Sequence, residues 1–264
     1  MQRSLAVLVA VISAAANPVH AADPNHVHQL LQGRTCSRCD LADADLIHAD
    51  LRDADLSQAS LQRANLSGVN LDGATLQRAD LSFTSLNGAS LRGADLRGSR
   101  LYGTDLRQAD LSGARLDPGA LEQSHWLGAK GIAPNIRSHA ALHNAGVDAA
   151  QLERWREAED LFSKAIEQDP KEPMSWVARA ISRGQQGKDE TAARDLAYAG
   201  SLFEQSNDFD NAELIQTALK SLSTKTTENK TRGNNIGSSL ITGAINLLQN
   251  LGPLALKSLM PLIP

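Results

Sequence analysis

Two cysteines three residues apart are the best candidates for chemistry in this sequence. Cys36 and Cys39 have the spacing of a disulfide, of a redox-active pair or of half a metal site. Thiol–disulfide exchange of the thioredoxin type would need a βαβ context, and a zinc site would need four ligands. The sequence offers neither. It favours a structural disulfide, and the alternatives are buried free thiols and redox chemistry.

Histidines and carboxylates give no second site. His20, His26 and His28 could suggest a metal-binding arm, but solvated histidines are the simpler interpretation. Asp105 and Asp110 recur at a fixed interval, and a repeated corner turn that favours short polar residues explains them without acid–base chemistry. Neither a local catalytic signature nor a glycine-rich phosphate loop is recognisable. We therefore predict a protein that is not an enzyme, with no catalytic residues, no cofactor and no metal.

A leucine ladder defines the elements that position these residues. Leucine recurs at every fifth residue from Leu41 to Leu121, seventeen times without a miss. Neither an α-helix, with period 3.6, nor a strand, with period 2, selects this spacing. A short fixed period is typical of a solenoid, in which each unit buries its apolar face by stacking on its neighbours. Two residues before most leucines stands a small side chain, as at Ala44, Ala54, Ala64, Ala74, Ala94 and Ala109.

The repeating unit reads Ala-(Asp/Asn/Ser)-Leu-x-x, as in ADLIH, ADLRD, ANLSG and ADLRG, and it resembles the pentapeptide-repeat family. The resemblance covers about a third of the chain. It implies a right-handed quadrilateral β-helix over residues 36–128, with four pentapeptides per coil and about four coils. Both the leucine and the small residue would point into a narrow, close-packed interior.

The outer columns of such a rod can also be predicted. Residues twenty apart should lie above one another, because four pentapeptides complete one coil. Arg52, Asp72 and Arg92 should then form an alternating ladder of charges, and Asp43 should lie under Arg63. Exposed pairs of this kind contribute little to stability and mainly keep the surface soluble.

The N-terminus indicates export. Residues 1–21 combine a basic residue, an apolar run and small residues before Ala21, as a secretory signal does. An uncleaved anchor is the alternative, but the apolar run is shorter than the ~20 residues that a membrane span needs. Residues 22–35 predict an N-terminal helical cap over the first coil. Export to a periplasm or a thylakoid-like lumen would favour the Cys36–Cys39 disulfide.

The second half of the chain has helical periodicity. Two units of 34 residues can be overlaid between residues 138 and 222, aligning Ala158 with Ala192, and they are similar to the tetratricopeptide (TPR) family. That resemblance implies a TPR-like helical domain with a concave face that binds extended peptides. An ordinary solvated surface is the alternative. The candidate partner-binding residues are Arg179, Arg183 and Gln186.

The C-terminal sequence predicts two further segments. Residues 223–235 are polar and suit a flexible linker. Residues 236–264 form an apolar amphipathic tail, which would lie in a membrane interface, pack on a partner or a second copy, or fold back on its own helical domain. The apolar stripe of this tail consists of Leu240, Ile241, Ile245, Leu248 and Leu251.

Charge argues against nucleic acid as a partner. The net charge is −4, and residues 34–117 carry twelve aspartates against ten arginines. Some pentapeptide-repeat proteins are acidic rods that occupy the DNA channel of topoisomerases, but that requires a long anionic face. We predict an exported, non-enzymatic scaffold that binds an unidentified protein. The alternatives are a membrane-associated organiser acting through the tail and, less favoured, a DNA-mimicking topoisomerase inhibitor.

Overall fold

The computed structural model describes residues 22–231 and 259–262. Residues 1–21, 232–258 and 263–264 lie outside this range. They include the signal segment, the last four residues of the predicted linker and all five residues of the apolar stripe. Six α-helices and one 3-10 turn occur in the described part. They are α1 (Pro24–Gly33), the 3-10 turn (Pro134–Ile136), α2 (His139–Gln151), α3 (Trp155–Gln168), α4 (Pro173–Gln185), α5 (Asp189–Gln205) and α6 (Phe209–Thr231).

Stacked coils with a repeat of twenty residues form the first half of the molecule. Fifteen parallel bridges, from Thr35–Asp55 to Asp110–Lys130, each join residues twenty apart. Between residues 35 and 130 these are single bridges and not longer strands. Each pentapeptide also closes a tight turn, as where the Ala54 N–H donates to the Leu51 carbonyl at 3.1 Å. The main chain therefore both bends each coil and links it to the next.

Leucines fill the interior of the solenoid. Leu51, Leu71 and Leu91 are fully buried, and each such side chain contributes roughly 1.5–3 kcal/mol. The small-residue site tolerates a hydroxyl where the hydroxyl finds a partner: buried Thr84 and Thr104 donate to main-chain carbonyls one coil away. The inward column loosens near its end, where Ala114 and Leu116 are only half-buried.

Each regular turn, up to the one after Leu111, contains one residue with a left-handed backbone. This residue lies two positions after the leucine and has a φ of about 55–75° whether it is glycine or not. Gly93 and Gly103 show the conformation that glycine adopts without strain. Phe83, with a φ of 60°, adopts it with a bulky side chain.

Helix α1 covers the first coil. Asp23 caps its N-terminus by accepting from the Asn25 N–H at 2.9 Å, and Leu30 is fully buried against the coil. The His26 Nδ1 atom accepts from the main-chain N–H of Asp40 at 3.1 Å. His26 therefore binds a main-chain group at the open end of the solenoid, and this placement gives it a structural role.

The other end of the solenoid continues past Leu121 and is covered by α2. Trp126 takes the inward position five residues after Leu121 and is buried. One hydrophobic core runs from the leucines through Trp126 into α2 and α3. Polar contacts join the same parts: the Ser138 hydroxyl donates to Glu122 at 2.7 Å, and His125 pairs with Asp148.

Helices α2 to α6 pack consecutively, each against the next along the chain. Gly146 of α2 allows the close approach of α3, because a Cβ atom there would lie 2.6 Å from the Phe162 ring. A second hydrophobic cluster joins α4, α5 and α6. This order is that of a stack of helical hairpins, and its assignment to the TPR family stays a prediction.

The linker prediction for residues 223–235 is wrong in its first part, because α6 continues to Thr231. Its polar residues have only moderate helix propensity. They extend a helix that Ala212, Ile215 and Ala218 already anchor in the core, so the cost of nucleating a helix does not arise. Composition indicated the polarity of this segment correctly but not its backbone conformation.

Candidate protein-interaction surface

The solenoid is interrupted once, next to Pro118. The bridge that regular register would place between Arg100 and Ala120 is not formed. Proline fixes φ at about −65°, so Pro118 cannot adopt the left-handed conformation that the regular turns have two residues after the leucine. The Gly98 N–H donates to the Asp117 side chain at 2.6 Å, where regular register would use the Asp117 carbonyl. The Gly103 N–H bonds the carbonyl of Gln123, one residue beyond the regular partner. Regular pairing resumes at Asp105 and His125.

This interruption opens a cleft of about 590 Å³ on one face of the solenoid. Its floor comes from equivalent turns of successive coils, which the repeat of twenty residues places side by side. The irregular segment from Gly119 to Gln123 forms one wall. The side chains that line it include those of Gln62, Asp80, Phe83, Arg100 and Tyr102.

Two aromatic rings project from the floor of the cleft. Phe83 is 58% exposed and Tyr102 is 54% exposed, and their rings meet edge to face with centroids 5.2 Å apart. The Phe83 ring lies over Gly103, where a Cβ atom would approach it to 2.7 Å. A bulky residue with positive φ costs of order 1 kcal/mol or more. The chain therefore holds an exposed aromatic ring in place at the expense of backbone strain.

Polar groups surround the rings. Asp80 accepts from Gln62 at 2.6 Å and from the Ser82 N–H at 3.0 Å. Burial opposes ionisation of Asp80, but the hydrogen bonds from Ser82 and Gln62 outweigh it and lower the pKa of the carboxyl. Arg100 contacts Asp80 only at 3.5 Å, and its side chain is 77% exposed. The cleft thus presents a cation and two aromatic rings to solvent.

These groups are suited to binding a protein surface. Tyrosine, phenylalanine and arginine are the residues enriched at the centres of protein interfaces, where a few of them supply most of the affinity. Among residues 22–231 and 259–262, no group of three or more His, Cys, Asp or Glu side chains could hold a metal ion. The cleft is therefore a candidate protein-interaction surface.

Comparison with protein families agrees with the repeat. The model of the family described as pentapeptide repeats matches eight copies, over residues 39–78 and 76–113. Through its solenoid, the chain belongs to the pentapeptide-repeat family. A comparison with curated proteins finds no match.

Several solved structures of pentapeptide-repeat proteins are similar to the solenoid. A protein from Nostoc is 40% identical over 37% of this chain and 78% of its own, with a TM-score of 0.24. A thylakoid-lumen protein from Arabidopsis thaliana is 29% identical over 38% of this chain and 64% of its own, with a TM-score of 0.21. A protein from the cyanobacterium Cyanothece is 27% identical over 42% and 95%, with a TM-score of 0.17.

The three residues predicted to bind a partner on the helical domain are engaged within that domain. Arg179 makes two hydrogen bonds of 2.8 Å to Asp195, and Arg183 bonds Glu159 at 2.9 Å and Asp195 at 2.7 Å. The guanidinium of Arg179 also lies 4.7 Å from the centre of the Trp176 ring. These arginines join α3, α4 and α5, so the prediction of an open binding face at these positions needs correction.

Gln186 belongs to the same network. Its side-chain amide donates to Glu159 at 2.8 Å and to the Trp155 carbonyl at 3.2 Å. Burial would raise the pKa of Glu159, but hydrogen bonds from Lys188, Arg183 and Gln186 lower it to about 2. Polar residues of α4 were predicted to face solvent, and the structure uses them to link helices instead.

Cys36 and Cys39 lie at the mouth of the first coil and form a disulfide, with Cα atoms 5.2 Å apart. Both are buried in the hydrophobic core that includes Leu30 of α1. Burial under the helix keeps the sulfurs from solvent, which suits a structural crosslink better than thiol exchange.

The tail residues Leu240, Ile241, Ile245, Leu248 and Leu251 lie outside the described residues. In the part of the chain that the structure does describe, none of the helices has the length and apolarity needed to cross a bilayer.

The aromatic cleft was not predicted from the sequence, although the sequence contains a signal for it. Phe83 and Tyr102 both follow ladder leucines at positions that the period of five places on the outside. They are nineteen residues apart, and so on adjacent coils of the pentapeptide-repeat solenoid. Only 3% of residues are aromatic, which makes two exposed neighbours informative. Pro118, the residue next to the break, was also visible in the sequence.

Proposed function

We propose that this pentapeptide-repeat protein is a non-enzymatic scaffold that works outside the cytoplasm and binds a protein partner in the cleft at Phe83 and Tyr102. The observation that carries the proposal is the pair of exposed, mutually packed rings beside an exposed arginine. The other faces of the solenoid bear charges that are largely satisfied by one another, as in the Arg97–Asp95 and Arg107–Asp105 pairs.

The energetics of the cleft support binding. A partner that covers the two aromatic side chains removes their apolar surface from water. Each Å² buried in this way contributes about 25 cal/mol of favourable free energy. The rings are already packed on each other and on Gly103, so that less side-chain freedom is lost when a partner covers them. Arg100 adds a cation that an acidic or aromatic group of the partner would engage.

Location outside the cytoplasm has support from two features. Residues 1–21 have the sequence pattern of a secretory signal. A disulfide between Cys36 and Cys39 is typical of proteins from oxidising compartments. On this proposal the helical domain is a TPR-like module that shares a core with the solenoid and completes the scaffold.

The experiment is crosslinking in the native compartment with two variants. Phe83→Ala with Tyr102→Ala removes both rings of the cleft. Ile47→Ala is the matched control, because Ile47 is an exposed apolar residue of another solenoid turn. We expect the double variant to recover at least tenfold less crosslinked partner than the natural chain does, and the control to recover as much as the natural chain. Equal recovery of the partner by both would refute the cleft as the binding surface.

A further inference from the structure

The last described residues of the chain return to the helical domain. Residues 259–262 lie against α2, where the Leu262 N–H donates to Asn144 Oδ1 at 2.6 Å. The Asn144 Nδ2 group in turn donates to the Leu262 carbonyl at 3.1 Å and to the Glu122 carbonyl at 2.6 Å. One side chain therefore holds both main-chain groups of Leu262.

This arrangement has the chemistry of a peptide-binding site. A side-chain amide carries one acceptor and two donors, so that it can pair with an extended main chain as a neighbouring strand would. Asn144 is only 6% exposed and is fixed by its bond to the Glu122 carbonyl at the junction of the solenoid and α2. Without the docked segment, its Oδ1 atom would lose the bond to Leu262 in a largely buried position, which is unfavourable.

A leucine anchors the other end of the segment. Leu259 is half-buried and packs against both hydrophobic clusters, the one that includes α2 and α3 and the one that joins α4 to α6. Met260 between them is exposed. The segment thus has an apolar anchor at Leu259 and a main-chain anchor at Leu262, and none of its four side chains is charged.

We propose that Asn144 and the helical-domain surface beside α2 form a docking site, and that its occupant is the chain's own segment of residues 259–262. We call it the Asn144 site. Docking there fixes the chain to the helical domain a second time, at residues 259–262, beyond the end of α6 at Thr231.

The covalent connection explains how so small a contact suffices. A tethered segment meets its site at an effective concentration of order mM, so two hydrogen bonds and one leucine can keep it docked. A free peptide with the same four residues lacks that advantage. The Asn144 site would therefore exclude weak competitors and yield only to a peptide that makes additional contacts. This inference does not depend on the aromatic cleft.

A peptide-binding experiment tests the assignment. A fluorescein-labelled peptide of residues 254–264 is titrated into the full chain and into a chain that ends at Ser258. We expect the shortened chain to bind the peptide with one-to-one stoichiometry and the full chain to bind it at least tenfold more weakly, because its own segment occupies the site. A peptide N-methylated at Leu262 keeps the side chain but loses the donor to Asn144, and should bind at least tenfold more weakly.

Two full-length variants make the test independent of truncation. Leu262→Pro removes the N–H that Asn144 accepts and should open the site to the peptide, whereas Met260→Ala changes an exposed side chain and should leave it closed. Equal peptide affinity of the full and shortened chains, or no binding to a folded shortened chain, would overturn the proposal. A dimer that becomes a monomer on truncation would also overturn it, because the segment would then dock on a second copy. Crosslinking of a partner at the cleft is a separate measurement, so failure of this proposal and failure of the proposed function can be distinguished.

Discussion

The solenoid and the helical domain are both stacks of repeated units, but they are joined by different parts of the chain. Between coils the contacts run through the main chain, as where the Leu71 N–H donates to the Ser90 carbonyl at 2.7 Å. The charged side chains outside form exposed pairs such as Arg63–Asp43. Between helices the polar contacts run through side chains, and Asp195, with its side chain only 4% exposed, accepts from both Arg179 and Arg183.

This difference determines where function can be placed. The outward residues of a coil contribute little to holding the coils together, so the solenoid can carry an exposed Phe83 or Tyr102 without loss of register. The largely buried polar residues shared by α3, α4 and α5, among them Asp195 and Arg183, hold the helices together. Four changes test this division.

The largest expected effect is that of Asp195→Ala. It removes the carboxylate that Arg179 and Arg183 share. Arg179 is then left largely buried, with the Trp176 ring and the Ser163 hydroxyl at 3.2 Å but without an anionic partner. Breaking a buried ion pair by removing one partner costs about 3–5 kcal/mol. We expect a loss of that size in the free energy of unfolding, measured by urea denaturation followed by far-UV circular dichroism.

Arg92→Ala is the control in the solenoid. Arg92 pairs with Asp72, and its own side chain is 59% exposed. The main-chain N–H of residue 92, which donates to Asp72 at 3.1 Å, remains in the variant. The midpoint of unfolding should not change measurably. If the two alanine variants lost equal stability, the division between main-chain and side-chain linkage would be wrong.

The second change tests the end of the solenoid. Replacing both Cys36 and Cys39 with serine removes a crosslink that closes a loop of four residues. The chain-entropy argument assigns about 2 kcal/mol to so short a loop. Adding a reductant to the natural chain should lower the unfolding midpoint to that of the double variant, and should leave the variant unaffected. A natural chain insensitive to full reduction would show that α1 and the leucines hold the first coil without it.

How much the sequence could predict follows the same division. The period of five positions Leu51, Leu71 and Leu91 inside and predicts the register of twenty, because a solenoid repeats one local geometry. The Asp43–Arg63 pair was predicted correctly, while Arg52 turned to Asp50 within its own coil instead of Asp72. An arginine can reach carboxylates on either of two coils, and the period does not choose between them.

The helical network was not predictable in this way. Arg179 and Arg183 occur in a sequence whose helical period is clear, but their partners Asp195 and Glu159 belong to other helices. Which polar face is buried depends on how α3, α4 and α5 pack, and no local pattern contains that information. The contact of Asn144 with Leu262 spans 118 residues and is still more remote from any local signal.

The third change separates stability from binding in the cleft. Phe83→Gly removes the ring and relieves a positive φ that glycine adopts freely. The strain relieved, about 1 kcal/mol, is offset by the lost contact with Tyr102, worth roughly 0.5–1.5 kcal/mol. We expect the free energy of unfolding to change by less than about 1 kcal/mol while the crosslinked partner is lost. A strongly destabilised variant would mean that the ring stabilises the fold, and this structural role would explain the ring without a binding role.

The smallest effect concerns the junction between the two regions, where a coil residue and a helix residue form an ion pair. His125 Nδ1 lies 2.9 Å from Asp148 of α2, and this hydrogen bond raises the pKa of His125 above 6.5, against the opposing effect of burial. Asp105 acts in the same direction as Asp148, and Arg107 opposes them.

A raised folded pKa fixes the sign of the pH dependence. The pair contributes its full stability below the unfolded pKa of about 6.5, and loses it as the pH rises through the higher folded value. The stability difference between the natural chain and His125→Gln should therefore be greatest near about pH 5 and should shrink toward about pH 8.5. Asp148→Asn should flatten the profile in the same way, because it removes the cause of the shift. A difference that grew with pH would mean that the imidazole packs against α2 in its neutral form, and the junction would then resemble the solenoid interior more than the ion-paired helices.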